Sequence, residues 1–239
     1  MRYIPLNNSV YKRNRSNFMN EMKGNSLAVF NSNDIYPVSA DSELPFEQHR
    51  DIFHLSGIDQ EETILLLYPP SKDDKTREIL FIRKSDNHTK VWEGEKLSKK
   101  QANELSGIDN IYYVEDFKAV LSSIATKVDT FYINKNEHYR ANSPVETRED
   151  RFISWLLKKY PAHNVAKSNP ILQRQRSIKH PHEIEQIKRA CEITKKGFNR
   201  VLKFIKPNIW EYEIEAEFIH EFINNSSKGF AYSPIIASG

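Results

Sequence analysis

Two apolar runs, Thr63-Ile64-Leu65-Leu66-Leu67-Tyr68 and Glu78-Ile79-Leu80-Phe81-Ile82-Arg83, flank the loop Pro69-Pro70-Ser71-Lys72-Asp73-Asp74. Each run is too short for a buried helix and has the apolar density of a strand covered on both faces. The proline-led loop forbids one continuous element. The chain is therefore committed to a sheet containing an antiparallel pair. Upstream, Ser26-Leu27-Ala28-Val29-Phe30 reads as another buried strand and Ile35-Tyr36-Pro37-Val38 as a second extended piece, while residues 89–93 read as a further candidate strand. The first 20 to 25 residues are polar, with few periodic apolar positions, and allow a short helix.

The pattern then alternates. Ile111-Tyr112-Tyr113-Val114 predicts a strand, residues 117–125 a helix, Thr130-Phe131-Tyr132-Ile133 a strand, and residues 150–159 a helix that turns Phe152, Trp155, Leu156 and Leu157 inward. Strands alternating with helices after an antiparallel start imply an α/β fold with a mixed sheet. Near Ser168-Asn169-Pro170 the style changes. A long helix is predicted from Pro181, with Ile184, Ile187, Cys191, Thr194, Phe198, Val201 and Ile205 at alternating steps of three and four along one face. Pro207 stops it. Asn208-Ile209-Trp210-Glu211 resembles a capping box that opens a second helix. Ile214, Phe218 and Phe222 form its inner stripe, and Lys228-Gly229 closes it. Ser233-Pro234-Ile235-Ile236-Ala237 reads as a strand just beginning. These features divide the chain into an α/β domain at 1–175 and, at 176–239, the truncated start of a second domain built of two helices and a strand.

Several function classes are disfavoured. The single Cys191 makes neither an internal disulfide nor a cysteine zinc site. The seven glycines lie too far apart for a GxGxxG or GxxxxGK phosphate loop. Thirty-five basic and 32 acidic residues leave a net charge of +3. The basic clusters Lys12-Arg13-Asn14-Arg15 and Arg174-Gln175-Arg176 are short, so no nucleic acid is expected as a partner. No apolar run approaches the roughly 20 residues of a membrane span. Met1-Arg2-Tyr3-Ile4-Pro5-Leu6-Asn7-Asn8 has no apolar core of a signal peptide. A cytoplasmic setting without membrane contact is the expectation.

No complete reacting centre emerges from the residues. His182-Glu183 and His220-Glu221 each lack the second histidine of an HExxH zinc helix. Glu211, Glu213, Glu215, Glu217 and Glu221 recur as on a solvated helix face. His180 and His182 flank a helix start and read as capping or exposed groups. His49 and His54 read as partly buried hydrogen-bonding groups, and no serine has a GxSxG context.

The order of motifs nevertheless resembles the aminopeptidase P family of creatinase- and prolidase-like enzymes. Phe46-Glu47-Gln48-His49-Arg50-Asp51-Ile52-Phe53-His54-Leu55-Ser56-Gly57 is similar to that family's Phe/Tyr-Arg-Gln-x-Ser-x-Phe-x-Tyr-Leu-Thr-Gly, with Glu47 and Arg50 in place of its Arg and Ser. Trp92-Glu93-Gly94-Glu95-Lys96-Leu97 resembles its Trp-x-Gly-x-x-Leu. Arg176-Ser177-Ile178-Lys179, Glu183-Ile184, Ile187-Lys188 and Ala190 resemble the junction into its second domain. Pro207, Glu211, Ile214 and Ala216 fit the following helix, with Asn208 for the usual Gly. Residues 231–239 resemble the entry to the catalytic half.

The resemblance implies an aminopeptidase P N-terminal domain followed by the opening of a "pita-bread" metallopeptidase domain. It implies release of an N-terminal residue preceding proline, carried out with two divalent ions, commonly manganese. The ions are held by two Asp, one His and two Glu, all at positions after the Ser238-Gly239 dipeptide. No two Asp of this sequence have the ten intervening residues of the family's first pair. No catalytic or metal-ligating residue is therefore expected within these 239 residues, which are expected to be inactive alone. Trp92 and Tyr232 match aromatic positions implied to contact substrate. Packing at a strand end for Trp92, and a core position for Tyr232, are the alternatives. A homodimer or homotetramer is implied. A prolidase-type dipeptidase, or a noncatalytic oligomerisation or peptide-recognition module, would share the layout.

Overall fold

A computed structural model describes residues 4–72, 74–85, 87–138, 140 and 144–237. Met1-Arg2-Tyr3, Asp73 of the central loop and the terminal Ser238-Gly239 lie outside the described residues. Two compact units are present, one formed by Leu6–Ser177 and the other by Ile178–Gly239 together with Met1–Pro5.

In the first unit the elements run α1 (Ser9–Glu21), β1 (Ser26–Asn31), β2 (Pro37–Ser39), β3 (Ser42–Glu43), α2 (Arg50–Ser56), β4 (Ile64–Leu67), α3 (Asp74–Arg77), β5 (Glu78–Ile82), α4 (Asn87–Trp92) and α5 (Lys99–Ser106). After these come β6 (Asn110–Tyr113), α6 (Phe117–Ala125), β7 (Thr130–Ile133), α7 (Arg148–Lys159), β8 (Asn164–Lys167) and α8 (Asn169–Ser177). Six strands form one mixed sheet in the order β6-β5-β4-β1-β7-β8. The predicted antiparallel pair is β4 with β5, and β1 pairs antiparallel with β4. β1, β7 and β8 run parallel to one another.

The interiors of the central strands are apolar because both faces are covered. Alternate residues part to opposite sides. Ala28, Phe30, Leu65, Leu67, Leu80 and Ile82 join the core beneath α1, α2, α5 and α8. Leu27, Val29, Ile64, Leu66, Ile79 and Phe81 join the core beneath α6 and α7. The period of two thus supplies both layers from the same residues.

Several expectations need correction. Residues 89–93 do not form a strand, since 87–92 are the helix α4. The short helix allowed near the start is present as α1, whose buried face is Val10, Tyr11, Asn14, Arg15, Phe18 and Met19. Its polar members hid the period, because apolarity alone marks only part of that face. Leu157 stands 41% exposed while Phe152 and Leu156 are buried. The sequence reading did not separate α2, α5, β8 and α8, although Ser98 and Gln101 form a reciprocal capping box at the start of α5.

The second unit contains α9 (Pro181–Phe204) and α10 (Glu211–Asn224). Proline at the first turn and the stop before Pro207 follow the prediction. Val201, Phe218 and Phe222 are its buried centre, with Ile193, Ile214, Phe230 and Ile236 packed around them. The predicted cap at Asn208 lies two residues early. Asn208 is left-handed at φ 69°, and Glu213 Oε2 accepts from the Trp210 backbone N–H at 2.8 Å. The helix ends at Asn224, before Gly229. The strand predicted over 233–237 is absent among the described residues, where no neighbouring strand satisfies its backbone donors and acceptors. The long apolar face of α9 is largely open, with Ile187 49%, Phe198 56% and Ile205 53% exposed.

Candidate functional site

The carboxyl ends of the parallel strands β1, β7 and β8 deliver Asn33, Asn134, Asn136 and Asn169 to one edge of the sheet. That end of a parallel sheet is where α/β folds usually leave room for ligands. Here the asparagines, with Gln48, His49, Asp51 and Arg176, line a polar cleft of about 360 Å³. Two motifs remote in sequence therefore meet, namely the Phe46–Gly57 segment and the Arg176 junction.

Asp51 joins them. Its Oδ1 accepts from Arg176 Nη1 at 2.5 Å, and its Oδ2 accepts from Asn134 Nδ2 at 3.1 Å. His49 precedes α2 as its cap, with Nδ1 accepting from the Asp51 backbone N–H at 3.3 Å. Burial lowers the His49 pKa, Asp51 opposes that fall, and Arg176 and Arg50 add to it. Gln48 locks the turn. Its Nε2 donates to the Ile58 and Gln60 carbonyls at 3.1 and 2.9 Å, while its Oε1 accepts from the His49 backbone N–H at 2.8 Å. The motif's closing Gly57 adopts φ 71°, and a Cβ there would meet the Tyr11 ring at 2.3 Å. Backbone geometry and close approach both require glycine.

Beneath the cleft, Thr147 and Asp150 cap α7 reciprocally and set Glu149 in its first turn. Glu149 Oε1 accepts from the Asn134 backbone N–H at 3.2 Å, and Oε2 accepts from Asn31 Nδ2 at 2.7 Å. Burial raises the Glu149 pKa, and those two hydrogen bonds oppose the rise. Asn134 is thus held by one carboxylate through its backbone and by another through its side chain.

Trp92, expected to contact substrate, is 77% exposed at the end of α4, not at a strand end. The residues following it explain that motif. Lys96 Nζ lies 2.6 Å from Glu61 Oε1, Glu93 Oε2 lies 2.5 Å from Arg83 Nη1, and the Leu97 backbone N–H donates to Gln60 Oε1 at 2.7 Å. The segment is pinned to the loop entering β4 while the indole stands out. Tyr232 belongs to the other compact unit and is 81% exposed in this chain. Neither aromatic lines the cleft. His180 caps α9, its side chain accepting from the His182 backbone N–H. Sequence reasoning missed Asn134 and Glu149, whose roles depend on strands and helices distant in sequence. The one local signal was the Thr147-x-x-Asp150 cap that fixes Glu149 in a first turn.

Residues 11–132 match the aminopeptidase P N-terminal domain family, and residues 185–239 match metallopeptidase family M24. The Xaa-Pro aminopeptidase of Escherichia coli is 27% identical over 235 residues, covering 96% of this chain and 52% of the relative. A Bacillus anthracis structure assigned provisionally to aminopeptidase P superposes with a TM-score of 0.84 at 27% identity, covering 92% of this chain and 52% of that one. A zinc-substituted Escherichia coli aminopeptidase P in complex with product gives a TM-score of 0.77 at 26% identity, covering 92% and 50%. The chain spans about half the length of the curated relatives it matches.

A metallopeptidase family and a metal-substituted neighbour imply a divalent ion in the whole enzymes. Among the described residues, no three His, Cys, Asp or Glu side chains come together to hold one. The groups present do not fit such an ion, and no metal-dependent step is assigned to them. The mixed α/β unit, its motif-built cleft and the ordered pair of matches together show that this chain belongs to the aminopeptidase P family.

Proposed function

We propose that these residues are the amino-terminal portion of a Xaa-Pro aminopeptidase, a manganese-dependent enzyme acting on peptides with proline in second position. The observation that carries this reading is the succession, in one chain, of the aminopeptidase P N-terminal family and the start of the M24 metallopeptidase family. The ion ligands and the hydrolytic chemistry would come from residues outside these 239. Trp92 and Tyr232 would contact substrate as exposed aromatic surface, which suits a proline ring. The working form would be a homodimer or homotetramer, because the open apolar faces of α9 favour association. A cytoplasmic setting accords with the exposed, free Cys191. No helix among the described residues is long and apolar enough to cross a membrane.

The test is direct. The purified chain, incubated with manganese and an Xaa-Pro-Xaa tripeptide, should release no first residue. Manganese-stimulated release would overturn the assignment of the chemistry to residues elsewhere. Light scattering should show a mass above 28.0 kDa, and a monomer at high concentration would remove the oligomer from the reading.

A further inference from the structure

The His49 ring meets Asp51 at two places. Its Nδ1 accepts from the Asp51 backbone N–H at 3.3 Å and so caps α2, and the same Nδ1 lies 4.0 Å from Asp51 Oδ2. Only the neutral ring can make the first contact, because it leaves a lone pair on Nδ1 and the proton on Nε2. A protonated ring has a donor at both nitrogens. Its Nδ1–H would face another N–H, which repels it, while a carboxylate oxygen close by would accept it. Asp51 therefore offers a different partner to each charge state of one ring.

The second partner is already engaged. Asp51 Oδ2 accepts from Asn134 Nδ2 at 3.1 Å, and Oδ1 accepts from Arg176 Nη1 at 2.5 Å. The His49 side chain is 28% exposed at the cleft, so a proton can arrive from solvent. The charged groups lining the cleft with it are Glu47, Arg50 and Asp51 from its own segment and Arg176 from α8. The residues after β1 and β7 and the start of α8 present only the amides Asn33, Asn134, Asn136 and Asn169. Glu149 of α7 holds Asn134 from beneath. Burial sets the proton affinity of the capped ring below the ordinary 6.5, against the pull of Asp51 and with the help of Arg176 and Arg50. The capped state is therefore fully favoured above the ordinary value and gives way as pH falls through the lower one.

We infer that His49 is a proton-operated switch in the cleft wall. Neutral, it caps α2 on the Asp51 N–H. On taking a proton from solvent it turns Nδ1–H onto Asp51 Oδ2, uncaps α2 and displaces the Asn134 amide. All of these groups lie within the Leu6–Ser177 unit, so the switch is independent of where the peptidase chemistry resides.

The experiment follows the 15N-labelled 239-residue chain by NMR from about pH 8 to about pH 5, the range in which histidines change charge. At the alkaline end the His49 ring should carry its proton on Nε2. The ring's midpoint should lie below 6.5, and the Asp51 backbone amide and the Asn134 side-chain amide should shift with that same midpoint. Exchange of the Asp51 amide, corrected for its intrinsic pH dependence, should be about five-fold faster at the acid end, one cap's worth. His49→Asn keeps an oxygen acceptor for the cap and has no titrating group, so both amide shifts should vanish. Arg176→Gln removes a cation from the ring and a competitor from Asp51. It should raise the midpoint by about half a pH unit and carry both amides with it, and it decides alone if His49→Asn does not fold. A proton on Nδ1 in base, a midpoint at or above 6.5, unchanged Asp51 exchange, or a midpoint unmoved in Arg176→Gln would each overturn the inference. So would an amide shift that persists in folded His49→Asn, which would assign the titration to Glu149 instead.

Discussion

Replacing Arg15 with Met should unfold the first unit far more readily than an ordinary surface change. The Arg15 side chain is fully buried on α1 and joins three other elements. Nη1 donates to the Leu55 carbonyl of α2 at 2.8 Å and to the Ser106 carbonyl of α5 at 3.1 Å, while Nε donates to Glu78 of β5 at 2.9 Å. Methionine fills the volume but donates nothing. Each abandoned carbonyl costs about 1–3 kcal/mol. Glu78 is 23% exposed and can regain water, so its loss costs less than the roughly 3–5 kcal/mol of a fully buried broken pair. The sum is about 4 kcal/mol. With a urea slope of about 2 kcal/mol/M, the midpoint should fall by about 2 M. Trp155, packed against Phe152 and Tyr160 in this unit, reports the transition by fluorescence in a Trp92→Phe, Trp210→Phe background. Arg15→Lys should lose about half as much, since one ammonium keeps the charge but cannot reach two carbonyls and a carboxylate in the same fork geometry. A loss below about 1 kcal/mol for the methionine variant would refute the claim that this guanidinium ties the layer together.

Glu61→Gln tests the ion cluster behind Trp92. Burial pushes the Glu61 carboxyl up, but hydrogen bonds from Lys96 and Arg83 more than offset it, leaving its pKa below the ordinary 4.5. Its stabilisation is therefore present above that value and is lost as pH falls through the lower folded pKa. The stability gap between the parent and Glu61→Gln, read from urea unfolding, should be full at neutral pH and close in acid; a gap that widens in acid would contradict the pairing. Gly197→Ala places a Cβ 2.9 Å from both the Phe218 and Phe222 rings. The second unit should lose about 1–3 kcal/mol by overpacking despite the better helix former, seen as faster amide exchange in α10, and slower exchange would show that the rings have room.

The central sheet was readable because its evidence is local and redundant. β4 and residues 79–82 of β5 are apolar at every position, and no exposed element tolerates that composition. The helix beginning at Pro181 was equally plain, since proline, the acidic first turn and a stop at Pro207 agree with its period. α1 was blurred by Asn14 and Arg15, polar residues buried because distant carbonyls and a carboxylate satisfy them. The strand expected over 233–237 shows the opposite failure, for a β pattern states only a willingness to pair.

The order of apolar runs, breakers and motifs by itself determined the α/β class, the antiparallel start and the family. Tertiary structure alone decided that Asp51, Asn134 and Arg176 share one cleft, with Glu149 holding Asn134 from beneath. Local pattern fixes a residue's face on its own strand or helix. Which carboxylate meets which amide is fixed by strand order and helix packing, which bring residues more than 80 positions apart within hydrogen-bond reach.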